Sequence, residues 1–168
     1  RCYEEHICTV PSPWPWQVRA FHTTCGLIDS GVLRLCVTSP TGMGKTRMIA
    51  DLASHYAADR RVILFTNRKL LTSQAKDYLE QKHGLGVGVM AAGYPPHLGE
   101  RIQIASIQTI TSRVFKRNWW SPPEAELILI DEAHNGAFAP IQAGDPNTPI
   151  VGYTSTPVGL AGKYNKLI

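Results

Sequence analysis

Apolar positions along the chain fall into two alternating patterns. Short, mostly uninterrupted apolar runs lie at 33–38, 61–66, 87–91, 101–106, 127–130 and 150–153, among them Val62-Ile63-Leu64-Phe65 and Leu127-Ile128-Leu129-Ile130. Runs of this length bounded by turn residues predict strands buried on both faces. Between them apolar residues recur every three or four positions. Val18, Phe21 and Cys25 mark one face of a helix over 17–28, and Met48, Ile49, Leu52, Ala53 and Tyr56 one face of a helix after residue 46. Leu70, Leu71, Ala75, Tyr78 and Leu79 do the same over 68–81, where His83-Gly84 supplies the stop, and Ile107, Ile110 and Val114 predict a short helix over 107–115. Pro11, Pro13 and Pro15 predict an extended stretch that leaves Trp14 and Trp16 available for packing, and residues 136–149 read as a loop containing Pro and Gly. Strands alternating with helices predict an α/β fold, a mainly parallel sheet with helices on both faces. The expected organisation is one domain over 17–168 preceded by an extended segment over 1–16.

Composition adds bounds to this picture. With 168 residues, 43% hydrophobic and 18% charged, the chain can bury a core without disulfides or metal. No apolar run approaches the roughly 20 residues of a membrane span, so a soluble, cytoplasmic protein is expected. The chain begins at Arg1 with no signal-peptide pattern, and its start reads as a possible cut. Cys2, Cys8, Cys25 and Cys36 contain no C-x-x-C pair; Cys2, His6 and Cys8 lack a fourth partner and match no common zinc spacing, which favours reduced thiols. The net charge of +4 permits a nucleic-acid partner without requiring one. Gly84, Gly86 and Gly88 imitate a dinucleotide loop, but no helix with a phosphate-facing start follows them.

Residues able to do chemistry gather where such a sheet places them, at the carboxyl ends of the strands. After the first strand comes Ser39-Pro40-Thr41-Gly42-Met43-Gly44-Lys45-Thr46, which reads as a phosphate-binding loop. The backbone of Thr41, Gly42, Met43 and Gly44 would wrap the phosphates, Lys45 would bring a cation to them, and the Thr46 hydroxyl would reach magnesium. Ser39 stands where the general pattern has Gly. The run over 127–130 ends in Asp131-Glu132, an acid to hold magnesium through water beside an acid to polarise an attacking water. Arg113, Lys116 and Arg117 form a basic cluster that suits either solvent or phosphates, and Trp119 and Trp120 either stack on bases or pack on their own domain.

Taken with the loop, Asp131-Glu132-Ala133-His134 is a DEAH box, and the chain resembles the first RecA-like domain of superfamily 2 helicases, a P-loop NTPase fold, over nearly its whole length. That family writes its loop with Ala or Ser at the position of Ser39. Gly152-Tyr153-Thr154-Ser155-Thr156-Pro157 is similar to its third motif, and its Thr-Ser-Thr-Pro form resembles DNA-directed bacterial and phage members. The resemblance implies ATP with magnesium as cofactors and DNA, or RNA, as partner. It also implies a second RecA-like domain C-terminal to this one, without which little hydrolysis is expected. By residue, it implies that Gln17 reads adenine with Trp16 packed nearby, although the run Pro13-Trp14-Pro15-Trp16 lacks the arginine that related chains carry there. His134 would couple the nucleotide to Thr154 and Thr156, and Thr66, Asn67, Arg68, Gln108 and Thr109 would contact the nucleic-acid backbone. Two other classes stand beside this one: a small-molecule phosphotransferase, and a non-catalytic binding module that keeps an ATP site.

Overall fold

The computed structural model describes residues 12–67, 69–95, 97–116 and 124–168. The elements in chain order are α1 (Pro15–Asp29), β1 (Arg34–Thr38), α2 (Lys45–Tyr56), β2 (Val62–Thr66), α3 (Lys69–His83), β3 (Val87–Met90) and β4 (Ile102–Ser106). There follow α4 (Ile107–Ile110) with a π-helical turn over Thr111–Lys116, β5 (Leu127–Asp131), a 3₁₀ turn over Gly136–Phe138, α5 (Ala139–Gln142), β6 (Ile150–Thr154) and β7 (Lys166–Leu167). All described strand pairs are parallel, in one sheet of order β3-β4-β2-β5-β6-β1-β7.

The uninterrupted apolar runs are explained by two cores, one on each face. Along β2, Val62 and Leu64 enter one core while Ile63 and Phe65 enter the other; along β5, Leu127 and Leu129 separate from Ile130 in the same way. This is the two-residue period of a strand with no solvent face. The first core is roofed by α1, α2 and α3 through Phe21, Ile49, Leu52 and Leu79; the second is closed by Ile107, Ile110, Phe138 and Ile141. Leu52 is fully buried between α2 and the sheet. Leu52→Ala is expected to lower stability by about 2–5 kcal/mol, read as an earlier urea midpoint at unchanged slope; a loss well under 1 kcal/mol would contradict this packing.

Four differences from the sequence expectations have local causes. The first helix starts at Pro15 rather than residue 17, because a proline at the first helical position gives up an N–H that has no intrahelical partner anyway. The expected helix over 107–115 is α-helical only to Ile110 and then widens into the π-helical turn. The expected loop over 136–149 contains the 3₁₀ turn and α5: Asn135 Oδ1 accepts the Ala137 N–H at 2.9 Å, and Phe138 and Ile141 are buried. Strand β7 has no apolar run to announce it; Leu35 and Cys36 pair with Lys166 and Leu167 at the sheet edge. Cys2, His6, Cys8, Arg68, Arg117, Trp119 and Trp120 lie outside the described residues. Among the described residues no helix is long and apolar enough to cross a membrane.

Candidate nucleotide site

Strand order sets the site. β6 lies between β1, which feeds the glycine loop, and β5, which ends in Asp131, and register pairs Thr38 with Thr154 and Asp131 with Tyr153. The carboxyl end of β6 is therefore wedged between the two phosphate-handling segments. Ser39 N–H donates to Thr154 O at 2.9 Å and Ala133 N–H to Tyr153 O at 2.9 Å, so β6 holds both neighbours by their backbones.

The loop itself turns at Gly42 (φ 81°) and Gly44 (φ 75°), values that favour glycine. At Gly44 there is a second reason: a Cβ would lie 2.7 Å from Gln17 Nε2. Gln17 is 3% exposed, accepts the Trp14 N–H on Oε1 at 2.9 Å, and donates Nε2 to Met43 O at 3.2 Å. One side chain thus caps α1 and straps the helix start to the loop. Of the two tryptophans, Trp16 packs partly buried against the core, whereas Trp14 is 49% exposed.

Lys45 is the first residue of α2; its Nζ sits 3.5 Å from Ser39 O and 3.5 Å from Glu132 Oε1. Glu132 is the one non-glycine with positive φ among the described residues, at 53°. A left-handed L-residue costs about 1 kcal/mol or more, and here the conformation turns the carboxylate back toward Lys45. Asp131 Oδ1 accepts the Glu132 N–H at 3.1 Å. The other carboxylate oxygen, Oε2, lies 3.5 Å from His134 Nδ1, and His134 Nδ1 lies 2.7 Å from Thr154 Oγ1. The Thr154 hydroxyl is wholly buried, lies 3.1 Å from Thr156 O, and accepts the Thr156 N–H at 3.0 Å. Both His134 Nδ1 and Thr156 O lie within reach of the one Thr154 hydroxyl proton, so the direction of the His134–Thr154 bond follows the imidazole tautomer. An unbroken polar chain runs Lys45, Glu132, His134, Thr154, Thr156.

Thr46, Asp131 and Thr66 line a common pocket with Ile49, Leu64 and Ala75. A threonine hydroxyl and a carboxylate are the hard oxygen donors magnesium prefers, and magnesium commonly takes one or two protein oxygens with phosphates and water completing its shell. No group of three or more His, Cys, Asp or Glu side chains that could hold a metal by themselves occurs among the described residues. The residues present fit a magnesium ion that arrives with a nucleotide.

The sequence-predicted nucleic-acid residues are only partly brought together. Gln108 is exposed, donates Nε2 to Asn67 O at 2.9 Å and accepts from Ser106 Oγ at 2.8 Å, joining the ends of β2 and β4. Thr109 is 7% exposed and Thr66 1% exposed. Thr66 is the last residue of a strand flanked on both sides, by β4 and β5, and its side chain faces the pocket of Thr46 and Asp131 rather than an open surface.

An all-parallel sheet with this loop after β1 and an acid pair at the end of β5 is the arrangement of a RecA-like P-loop NTPase domain. By sequence, residues 11–158 match the family described as type III restriction enzyme, res subunit, and the chain belongs to that family. No curated protein matches it. Among solved structures it is similar to a nuclease-deletion mutant of the type ISP restriction-modification enzyme LlaGI in complex with a DNA substrate mimic, with a TM-score of 0.72 and 16% identity over 94% of this chain and 19% of that one. It is also similar to the Sulfolobus solfataricus SWI2/SNF2 ATPase core in complex with dsDNA, with a TM-score of 0.69 and 14% identity over 92% of this chain and 34% of that one. The UvsW helicase of bacteriophage T4 gives a TM-score of 0.70 and 16% identity over 96% of this chain and 61% of that one. At these identities the likeness is one of fold. The chain spans between about a fifth and three fifths of the lengths of these molecules.

Proposed function

We propose that this domain is the ATP-binding half of a DEAH-type, nucleic-acid-dependent ATPase, a helicase or translocase acting on DNA. The observation that carries the reading is the polar chain from Lys45 through Glu132 and His134 to Thr154 and Thr156. A phosphate-binding cation, a carboxylate that can order water, and a buried hydroxyl on an adjacent strand are joined by direct contacts.

In this reading the N–H groups of the turn over 41–44 and the Lys45 ammonium bind the β and γ phosphates, the exposed Trp14 receives the base, and Gln17 would reach the adenine edge on giving up its bond to Met43 O. Trp14 replaces Trp16 in that role because Trp16 is spent on the core. Thr46 and Asp131 would hold magnesium, which when bound supplies charge neutralisation at the phosphates. Glu132 orients the attacking water and takes its proton. As Lys45 moves to the phosphates, Glu132 loses its 3.5 Å contact with the ammonium and is free to turn to that water. His134, whose Nδ1 lies 3.5 Å from Glu132 Oε2 and 2.7 Å from Thr154 Oγ1, passes that movement to the 154–156 turn.

DNA as the partner is supported by the LlaGI and SWI2/SNF2 structures, both of DNA complexes; a second RecA-like domain is supported by the small share of those molecules that the chain spans. Asn67 and Gln108, linked by a hydrogen bond at the carboxyl ends of β2 and β4, would meet a phosphate backbone. The test is to follow γ-labelled phosphate in the full-length protein with DNA, with RNA and with neither. Release as inorganic phosphate, faster with DNA, supports the reading. Transfer to a small acceptor, indifferent to nucleic acid, would replace it with a phosphotransferase.

A further inference from the structure

The turn bearing Glu132 and His134 is gripped from a second side by residues that no motif includes. Gln142, the last residue of α5, is 9% exposed. Its Nε2 donates to Ala133 O at 2.9 Å and to Tyr164 Oη at 3.1 Å, while its Oε1 is buried with no hydrogen-bond partner. Leaving that oxygen unpaired is a cost that an aliphatic side chain of the same length would avoid, so the two donors are what the position keeps. Tyr164 packs against the second core, and burial pushes its phenol up to about 12, leaving the hydroxyl neutral at the centre of the contact. Room for it is made at Gly152, where a Cβ would lie 2.5 Å from Tyr164 Oη and 2.6 Å from Ala133 Cβ.

Ala133 stands between the two residues whose side chains carry the proposed chemistry. Its N–H is held by Tyr153 O on β6 and its carbonyl by Gln142. With both ends of the residue fixed, the left-handed backbone at Glu132 is over-determined and its carboxylate is aimed. We propose that Gln142, braced by Tyr164, is a positioning residue for ATP hydrolysis, fixing the Ala133 peptide so that Glu132 and His134 keep their orientation. The proposal rests on the ATPase reading above.

The test is phosphate release by the full-length protein carrying Gln142→Leu or Tyr164→Phe, with nucleotide affinity and melting temperature measured on the same preparations. Misaiming a reactive group without removing it is expected to cut kcat roughly 10- to 100-fold for Gln142→Leu. ATP affinity should stay within about twofold and the melting temperature close to that of the unaltered protein. Tyr164→Phe, which removes one oxygen and leaves the ring in place, is expected to shift kcat in the same direction by less. Unchanged kcat in both variants would overturn the proposal. So would kcat and affinity falling together with the melting temperature, the mark of a packing role alone. If the unaltered protein binds ATP but shows no hydrolysis with any nucleic acid, it is the ATPase reading that falls, and this proposal with it.

Discussion

Glu132→Gln is expected to lower kcat for ATP hydrolysis by roughly 10²–10⁴-fold, the usual worth of a positioned general base, while ATP binding stays within a few-fold of normal. The substitution keeps the size of the side chain and its reach toward Lys45, but an amide cannot take the proton of a water. It also removes the charge that holds Lys45 near 3.5 Å in the empty loop, so the ammonium is released for the phosphates and affinity has reason to rise slightly. The backbone at φ 53° should survive, because it is fixed by the Asp131 contact to the Glu132 N–H and by the two bonds to Ala133 rather than by the carboxylate. Steady-state phosphate release and equilibrium binding, measured on the same protein, separate the two effects. Hydrolysis left within a few-fold of the unaltered rate would remove Glu132 from the chemistry.

Lys45→Ala is expected to act on binding itself. The Lys45 side chain is 10% exposed, and Glu132 is the carboxylate at its ammonium. The lost cation is the one that would meet the phosphates, and truncating one partner of a desolvated charge pair across a binding interface costs about 2–5 kcal/mol. ATP affinity should fall at least roughly 30-fold, since each 1.4 kcal/mol is tenfold. A titration that still saturates in the unaltered range would show that nucleotide binds elsewhere or not by its phosphates.

How much of this was legible in the sequence depended on which physical rule each residue obeys. The run Leu127 to Ile130 could be read as a central strand because both faces of β5 are covered, and the stripe Met48, Ile49, Leu52, Ala53, Tyr56 because α2 lies on the sheet by one side; all five are buried. The loop was legible because Gly42 and Gly44 adopt the positive φ that only glycine takes easily. Resemblance to a helicase motif pointed to a His134–Thr154 link, and the two side chains do meet at 2.7 Å. The positive φ at Glu132 was not legible, since that strain comes from tertiary contacts and leaves no mark in composition. Gln142 lay in a stretch whose Gly136, Pro140 and Gly144 spoke for a loop, and its polar type spoke for solvent; the buried Phe138 and Ile141, four positions and one position away, override both signals. Strand position alone did not reveal that Thr66 is 1% exposed and lines the pocket of Thr46 and Asp131.

The account stands most directly on the claim that nucleotide occupancy is transmitted through His134 to Thr154 and outward. The measurement is DNA affinity of the full-length protein, with and without a non-hydrolysable ATP analogue, in the unaltered chain and in Thr154→Val, which keeps the shape of the side chain and deletes its hydroxyl. Coupling between two sites commonly amounts to a 5- to 150-fold change in affinity. The prediction is that the analogue shifts DNA affinity by a factor in about that range in the unaltered protein, and that Thr154→Val brings the factor close to one while leaving analogue binding intact. An equal shift in both proteins would contradict the claim.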